Sequence, residues 1–280
     1  MTNQIPEITL HDGVQIPAVG FGTYKLKGHH GAQAINHAIA NGYRLLDSAY
    51  NYENEATVGE AIRRSSVPRE ELFITSKLPG RYHHYEDAII TIQESLFRAN
   101  LDYYDLYLIH WPNPIQDNYI EAWQALIDAQ KFGYIRSIGV CNFLPEHIER
   151  LEKETGILPT VNQIELHPQF NQLEQLKWHK EHQIITESWS PLTRGSQLLQ
   201  DKRIQKIADQ YHKTVSQIIL RWHYQLGAIA IPKSVSPVRQ KENISIFDFQ
   251  LSETEMMMIN QLTQPDGRIK DQDPAVYEEF

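Results

Sequence analysis

The sequence predicts a (β/α)8 barrel, opened by a β-hairpin at the barrel bottom and closed by extra C-terminal helices. Three observations point there. Eight short apolar runs alternate with amphipathic helical patterns along 280 residues, and that alternation builds parallel α/β architecture. Several runs are apolar nearly throughout, as in Leu106-Tyr107-Leu108-Ile109, the habit of a strand buried on both faces. Polar residues sit at or just past the ends of different runs: Asp47, Lys77, His110, Asn142, Gln163, Ser190 and Lys233. Barrel active sites are assembled from such strand ends. The general polarity of loops does not explain charged Asp47 and Lys77 beside apolar strand cores.

Taken in order, Ile8-Thr9-Leu10 and Val14-Gln15-Ile16 flank His11-Asp12-Gly13, a hairpin signal of the Asp-Gly kind. The eight runs follow: Ala18–Thr23, Arg44–Ala49, Leu72–Lys77, Asp105–Trp111, Ile135–Val140, Thr160–Glu165, Gln183–Trp189 and Ala228–Lys233. Between them lie stretches such as Ala88–Asn100, where Ile89, Ile92, Leu96 and Phe97 keep helical spacing. Ser196 to Gly227 holds two helical patterns, Asp201–Tyr211 and Val215–Gln225, so one falls outside the eightfold count. Ser252–Thr263 is a further helix, opened by a capping box of Ser252 with Glu255. Residues 266–280 are polar and aperiodic, a loop or tail. With no linker, low-complexity tract or repeat, residues 1–280 read as one domain.

Composition narrows the function. Hydrophobic residues make up 41% and charged residues 22%, an ordinary globular balance. No apolar run approaches the roughly 20 residues of a membrane helix, and the opening Met-Thr-Asn-Gln-Ile-Pro has no secretory pattern. The single Cys141 rules out an internal disulfide and fits a reducing cytoplasm. A net charge of −9 argues against nucleic acid, so any anionic cofactor needs local positive charge. No exposed apolar stripe is visible, which favours a monomer.

Several familiar motifs are absent. Gly20-Phe21-Gly22 begins like a dinucleotide fingerprint, but Lys25 stands where its third glycine belongs. There is no phosphate-cradling Gly-Lys-Ser/Thr motif and no Gly-x-Ser-x-Gly nucleophile elbow. The pairs His29-His30 and His83-His84 fall in polar loops without a third ligand at zinc-like spacing, so no metal site is expected. What remains is Asp47, Tyr52, Lys77 and His110. Reduction of a carbonyl needs a hydride donor and an acid for the nascent alkoxide. Tyrosine, with a reference pKa of about 10, serves as that acid only with help. A nearby ammonium stabilises phenolate, and an aspartate fixes the ammonium. A histidine can hydrogen-bond the carbonyl oxygen. Spacing alone leaves open a purely structural Asp–Lys pair and a core tyrosine.

The run Asp47-Ser-Ala-Tyr-Asn-Tyr52-Glu-Asn-Glu55, followed by Gly59, resembles the signature of the aldo-keto reductases. Similar stretches follow in order: Ile74-Thr-Ser-Lys77, Leu106-Tyr-Leu-Ile-His110-Trp-Pro112, Ser137-Ile-Gly-Val-Cys-Asn-Phe143, Val161–Pro168, and Ile231–Pro237 with Arg239, Glu242 and Asn243. They run collinearly from about Gly20 to Asn243. The Asp-Gly-Arg…Asp-Pro-Ala-Val-Tyr ending resembles bacterial members, of the 2,5-diketogluconate reductase type.

The resemblance implies a catalytic set of Tyr52 as general acid, Lys77 and Asp47 as its pKa-lowering partners, and His110 orienting the carbonyl. It implies NADPH/NADP+ as cofactor and a small-molecule carbonyl as substrate: an aldehyde, dicarbonyl or keto sugar. Gly22 and Thr23 would approach the cofactor, Asn142 and Gln163 would hold the nicotinamide carboxamide, and Trp189 would stack on its ring. Ser190 and Leu192 would line the pyrophosphate path. Lys233, Ser234 and Arg239 would receive the 2′-phosphate at a helix start near Pro237, whose free N–H groups could meet it as well, with Glu242 and Asn243 near the adenine. Tyr24 and Trp111 would shape the substrate pocket. Two departures stand out: Cys141 replaces a serine common before Asn142, and Pro79-Gly80 replaces a common aromatic. Cys141 reads as a small buried residue, and Arg194 as either a pyrophosphate contact or a solvated cation. The competing functions are a non-catalytic, cofactor-binding regulatory member of the superfamily and a barrel glycosidase using Asp47 and Glu165.

Overall fold

A strand that is apolar along its whole length must be covered on both faces, and the architecture supplies that cover. A computed structural model describes residues 5–195 and 197–280. The hairpin strands are β1 (Glu7–Thr9) and β2 (Gln15–Pro17), antiparallel with Ile8 opposite Ile16. The parallel strands are β3 (Gly20–Gly22), β4 (Leu45–Asp47), β5 (Phe73–Leu78) and β6 (Tyr104–Ile109). They continue as β7 (Ile135–Cys141), β8 (Val161–Glu165), β9 (Ile185–Trp189) and β10 (Ala228–Ala230). Each pairs with its neighbour in chain order. Closure comes from a parallel bridge between Val19 and Ala230 and from Gly22 N donating to Pro232 O at 3.1 Å.

The helices between strands are α1 (Gly28–Asn41), α2 (Glu55–Arg64), α3 (Tyr85–Ala99), α4 (Tyr119–Lys131), α5 (Pro145–Thr155) and α6 (Leu173–Glu181). Then come α7 (Lys202–Tyr211), α8 (Val215–Gln225), α9 (Pro237–Ile244) and α10 (Glu253–Asn260). The extra helices are therefore real elements. Ser252 accepts from Glu255 N while Glu255 reaches back to Ser252 N, the expected capping box of α10.

Leu10 and Ile16 of the hairpin pack with Leu45, Phe73, Leu106, Leu108, Val161 and Ile229, plugging the bottom of the barrel. The shell between strands and helices is a second apolar layer, holding Ile35, Ile92, Trp123 and Ile148 among others. One expected core position fails. Phe97 is 73% exposed, because α3 turns Ile92 and Leu96 inward and leaves Phe97 beyond that stripe. Ile90, seven residues before it on the same helix, is also exposed, so the surface is not free of apolar pairs. His83 departs too: it is buried, whereas its neighbour His84 stays exposed near Glu121. Among the described residues, no helix is long and apolar enough to cross a membrane.

Candidate active site

The open end of the barrel is built around a buried ion pair. Asp47 ends β4, and Thr23 holds its carbonyl through both N (3.0 Å) and Oγ1 (2.8 Å). Lys77, fully buried on β5, donates from Nζ to both Asp47 carboxylate oxygens (2.8 and 2.7 Å) and to Ser48 O (2.6 Å). Those acceptors match the three protons of an ammonium. Tyr52 lies in the short 3-10 turn Tyr50–Tyr52 that follows β4, its ring centroid 5.1 Å from Lys77 Nζ.

Burial raises the Tyr52 pKa above the usual tyrosine range, Lys77 pulls it back, and Asp47 pushes it up again. Asp47 thus does not lower Tyr52 by its own charge; what it does is anchor the cation that does. Burial also pulls on Lys77, but the Asp47 carboxylate, which accepts two of its hydrogen bonds, reverses this and keeps its pKa above the ordinary lysine range.

His110 follows β6 and meets Tyr52 edge-on, with ring centroids 5.9 Å apart. Its Nδ1 lies 2.7 Å from Glu279 Oε1, a close but bent contact that falls outside straight hydrogen-bond geometry. Tyr277 packs on Trp111 at 4.5 Å between centroids. The aperiodic segment 266–280 therefore forms part of the site wall. Asn142, at a φ of 61°, donates to His110 O (3.0 Å) and accepts from Trp189 Nε1 (2.8 Å), which ties three strand ends together. Gln163 donates to Asp47 Oδ2 (2.9 Å) and Glu187 Oε2 (2.8 Å). Burial, reinforced by the charge of Asp47, raises Glu187 to about 8.

Cations gather at the far end. Lys25, Arg194, Lys233 and Arg239 border the same cavity, and among the described residues none forms an ion pair with a carboxylate. Burial and the charges of Lys25 and Arg194 hold the Lys233 pKa down, a mutual repulsion that a bound anion would relieve. Thr193, Arg194 and Gly195 have φ values of 48°, 55° and 80°, three successive left-handed residues next to this cluster. The start of α9 offers less backbone than the sequence suggested. Pro237 has no N–H, and Ser236 Oγ accepts from Arg239 N at 3.4 Å, so side chains must supply most of any phosphate contact. Buried Gln240 donates to Ser234 O (2.9 Å) and Ala34 O (3.0 Å), fastening the loop that carries Lys233 and Ser234.

All the predicted site residues except Thr23 and Lys77 border one cavity of about 1290 Å³. Those two stand behind it, each bonded to Asp47. Gly22 has a packing reason of its own: a Cβ there would sit 3.2 Å from Ile231 O. Cys141 is buried in the barrel interior, and burial holds its thiol pKa well above the usual range, in keeping with a small core residue. Glu165, the second carboxylate of a glycosidase reading, does not border the cavity. It is buried against His167 (3.0 Å) and accepts from Ile269 N (2.7 Å), anchoring segment 266–280 instead.

The sequence reading missed Lys25, Tyr277, Glu279, Glu187 and Gln240. Glu187 carried a visible signal, an acid inside the strand run Gln183–Trp189. The long cavity, with an unpaired cation cluster at one end and aromatic walls at the other, has the charge distribution a phosphorylated dinucleotide requires.

Comparison with known proteins agrees with this geometry. The family model described as "Aldo/keto reductase family" matches residues 18–264. The chain is 49% identical to 2,5-diketo-D-gluconic acid reductase B of Corynebacterium sp. over 276 residues, covering 99% of each chain. It is 46% identical to methylglyoxal reductase DkgA of Yersinia pestis, again over 99% of each. Among solved structures, a mutant of Gox0644 in complex with NADPH superposes with a TM-score of 0.93 at 40% identity, covering 98% of this chain and 99% of that one.

Proposed function

The chain belongs to the aldo/keto reductase family, and from that premise we propose that it reduces small aldehydes, dicarbonyls and keto sugars to alcohols with NADPH, Tyr52 supplying the proton. The observation that carries the assignment is the buried Lys77, clamped by Asp47 and placed beside Tyr52 at the floor of the cavity.

NADPH supplies the hydride when bound. The chain's own groups supply the rest. Burial keeps the proton on Tyr52 at neutral pH, so the acid form is the resting form. As the proton moves to the carbonyl oxygen, the Lys77 ammonium stabilises the phenolate left behind. His110 borders the carbonyl side of the cavity and orients the oxygen. Gln163 and Asn142 would hold the nicotinamide, Trp189, which donates to Asn142, would stack on it, and Lys233 and Arg239 would receive the 2′-phosphate, all of them lining the one cavity together with Lys25 and Arg194. Hydride and proton together convert the carbonyl to an alcohol and release NADP+.

Every group named borders or stands behind one cavity of a single barrel, which supports a single domain. The net charge of −9 speaks against nucleic acid as a partner. Buried, unpaired Cys141 supports a reducing compartment such as the cytoplasm. The test is loss of NADPH absorbance with purified protein and methylglyoxal, glyceraldehyde and a keto sugar. Binding of NADPH without turnover of any of them would favour the regulatory reading.

A further inference from the structure

Glu55 is a buried carboxyl group that the chemistry above does not use. It stands three residues after Tyr52, in the first turn of α2. Its Oε1 accepts from Ser76 Oγ (2.5 Å) on β5 and from Ser95 Oγ on α3, with Tyr104 OH of β6 at 3.4 Å. All of these hydroxyl groups are buried. An acceptor is all that the bonds ask of Oε1, so they hold for the carboxylate and equally for the acid with its proton on Oε2.

The bond to Ser76 falls at a particular place. Successive side chains of a strand point to opposite faces, so Ser76 reaches outward to α2 while Lys77 reaches inward to the site. Lys77 Nζ donates to Ser48 O (2.6 Å), and Ser76 Oγ donates to Glu55. The segment from Ser48 to Glu55, with Tyr52 inside it, is therefore fastened at both ends to two adjacent residues of β5. Its ends are also tied to each other, since Ser48 Oγ donates to Asn54 Oδ1 (2.9 Å). Ahead of Tyr52, Arg98 of α3 donates to the Tyr50 hydroxyl (2.6 Å). Behind Tyr52, the hold on β5 comes from Glu55.

We propose that Glu55 is a positioning residue for Tyr52: through Ser76 it holds segment 48–55 on β5 and so fixes the phenol beside the Lys77 ammonium. The help that Lys77 gives a phenolate depends on their separation, because charge–charge energy falls with distance and a buried site screens weakly. Tyr52 and Lys77 lie on different elements, with 5.1 Å from Nζ to the ring centroid. Ser76 is the neighbour of Lys77 through which one element is tied to the other. Ser95 binds the same oxygen but joins α2 only to α3, away from Lys77. The inference rests on Tyr52 being the proton donor.

The experiment compares Ser76→Ala with Ser95→Ala, each of which removes one hydroxyl from the same carboxyl oxygen. Turnover of methylglyoxal with NADPH is measured alongside ¹³C NMR of the full chain labelled in its tyrosine rings. Tyr52 is assigned by the signal missing from Tyr52→Phe. Its ring packs against Tyr24 and His110, at 4.9 and 5.9 Å between centroids, so ring currents report its displacement. Ser76→Ala should shift the Tyr52 signal and lower kcat about tenfold, a fraction of the roughly 10²-fold that a ~1 Å misplacement can cost, with KM and NADPH affinity unchanged. Ser95→Ala should lower Tm but leave the signal and kcat in place. Ser76→Cys, similar in size but only a weak donor, should shift Tyr52 in the same direction and serves if Ser76→Ala does not fold. An unmoved Tyr52 signal in the Ser76 variants, or equal kcat losses in the two alanine variants, overturns the proposal. The NMR readout needs no turnover: a chain that reduces no carbonyl, yet shifts Tyr52 in Ser76→Ala alone, loses the reaction and keeps this role of Glu55.

Discussion

At the scale of single residues, Tyr52 and Lys77 differ in what they contribute. Tyr52→Phe removes only the phenolic proton and keeps the ring against Tyr24 and His110. Turnover should fall below a tenth of wild type, since positioned proton transfer is worth on the order of 10²–10⁴ in rate, and NADPH binding, followed by quenching of tryptophan fluorescence, should persist. Higher residual turnover would mean another acid. Glu187 makes a prediction about stability. Its folded pKa is raised to about 8 from an unfolded value of 4.5, so between those values the folded chain holds a proton that the unfolded chain has released. Folding stability should therefore fall as pH rises through that window and level off above it. Glu187→Gln removes this titration, and its urea-midpoint profile should be flatter from pH 5 to 8. An unchanged slope would assign the pH dependence to other groups.

At the scale of elements, the strands and most helices were legible because burial on both faces and 3.6-residue spacing leave marks in the sequence. The site residues on strand ends were legible for the same reason, as polar interruptions of apolar runs. Glu279 and Tyr277 were not, because their partners Asn113, Gly80 and Trp111 lie more than a hundred residues away in a segment without periodicity. The helix start near Pro237 reads from sequence as a source of free N–H groups, whereas Ser236 Oγ accepts from Arg239 N there. Gly59 gives an element-scale test. It stands where α2 crosses the end of α3, and a Cβ there would come within 1.9 Å of Ala99 O. That is backbone rather than a yielding side chain, so Gly59→Ala should destabilise by about 3 kcal/mol or more, lowering Tm on the order of 5–10 °C. Calorimetry showing an unchanged Tm would mean that the two helices separate without cost.

At the scale of the whole molecule, an acidic chain of net charge −9 concentrates Lys25, Arg194, Lys233 and Arg239 at one end of its cavity. Burial, with the charges of Lys25 and Arg194, lowers the pKa of Lys233, and a ligand that brings phosphate offsets that repulsion. NADPH and NADH share the pyrophosphate and differ by the 2′-phosphate, so their comparison isolates the contribution of Lys233 and Arg239. Hydrogen bonds to charged groups are worth roughly 1.5–3 kcal/mol each, or on the order of tenfold or more in affinity per contact. The exposure of Arg239 and its weakening by salt place the expected effect at the lower end. A ligand that binds only the folded chain raises Tm with its concentration over Kd, so NADPH should raise Tm more than NADH at equal concentration. In Arg239→Ala the NADPH shift should shrink towards the NADH value, while the NADH shift stays nearly constant. Raising ionic strength should narrow the gap in the wild type and hardly change it in the variant. Equal losses for both cofactors would place Arg239 on the shared pyrophosphate, and a larger Tm shift with NADH would remove the 2′-phosphate from this end of the cavity.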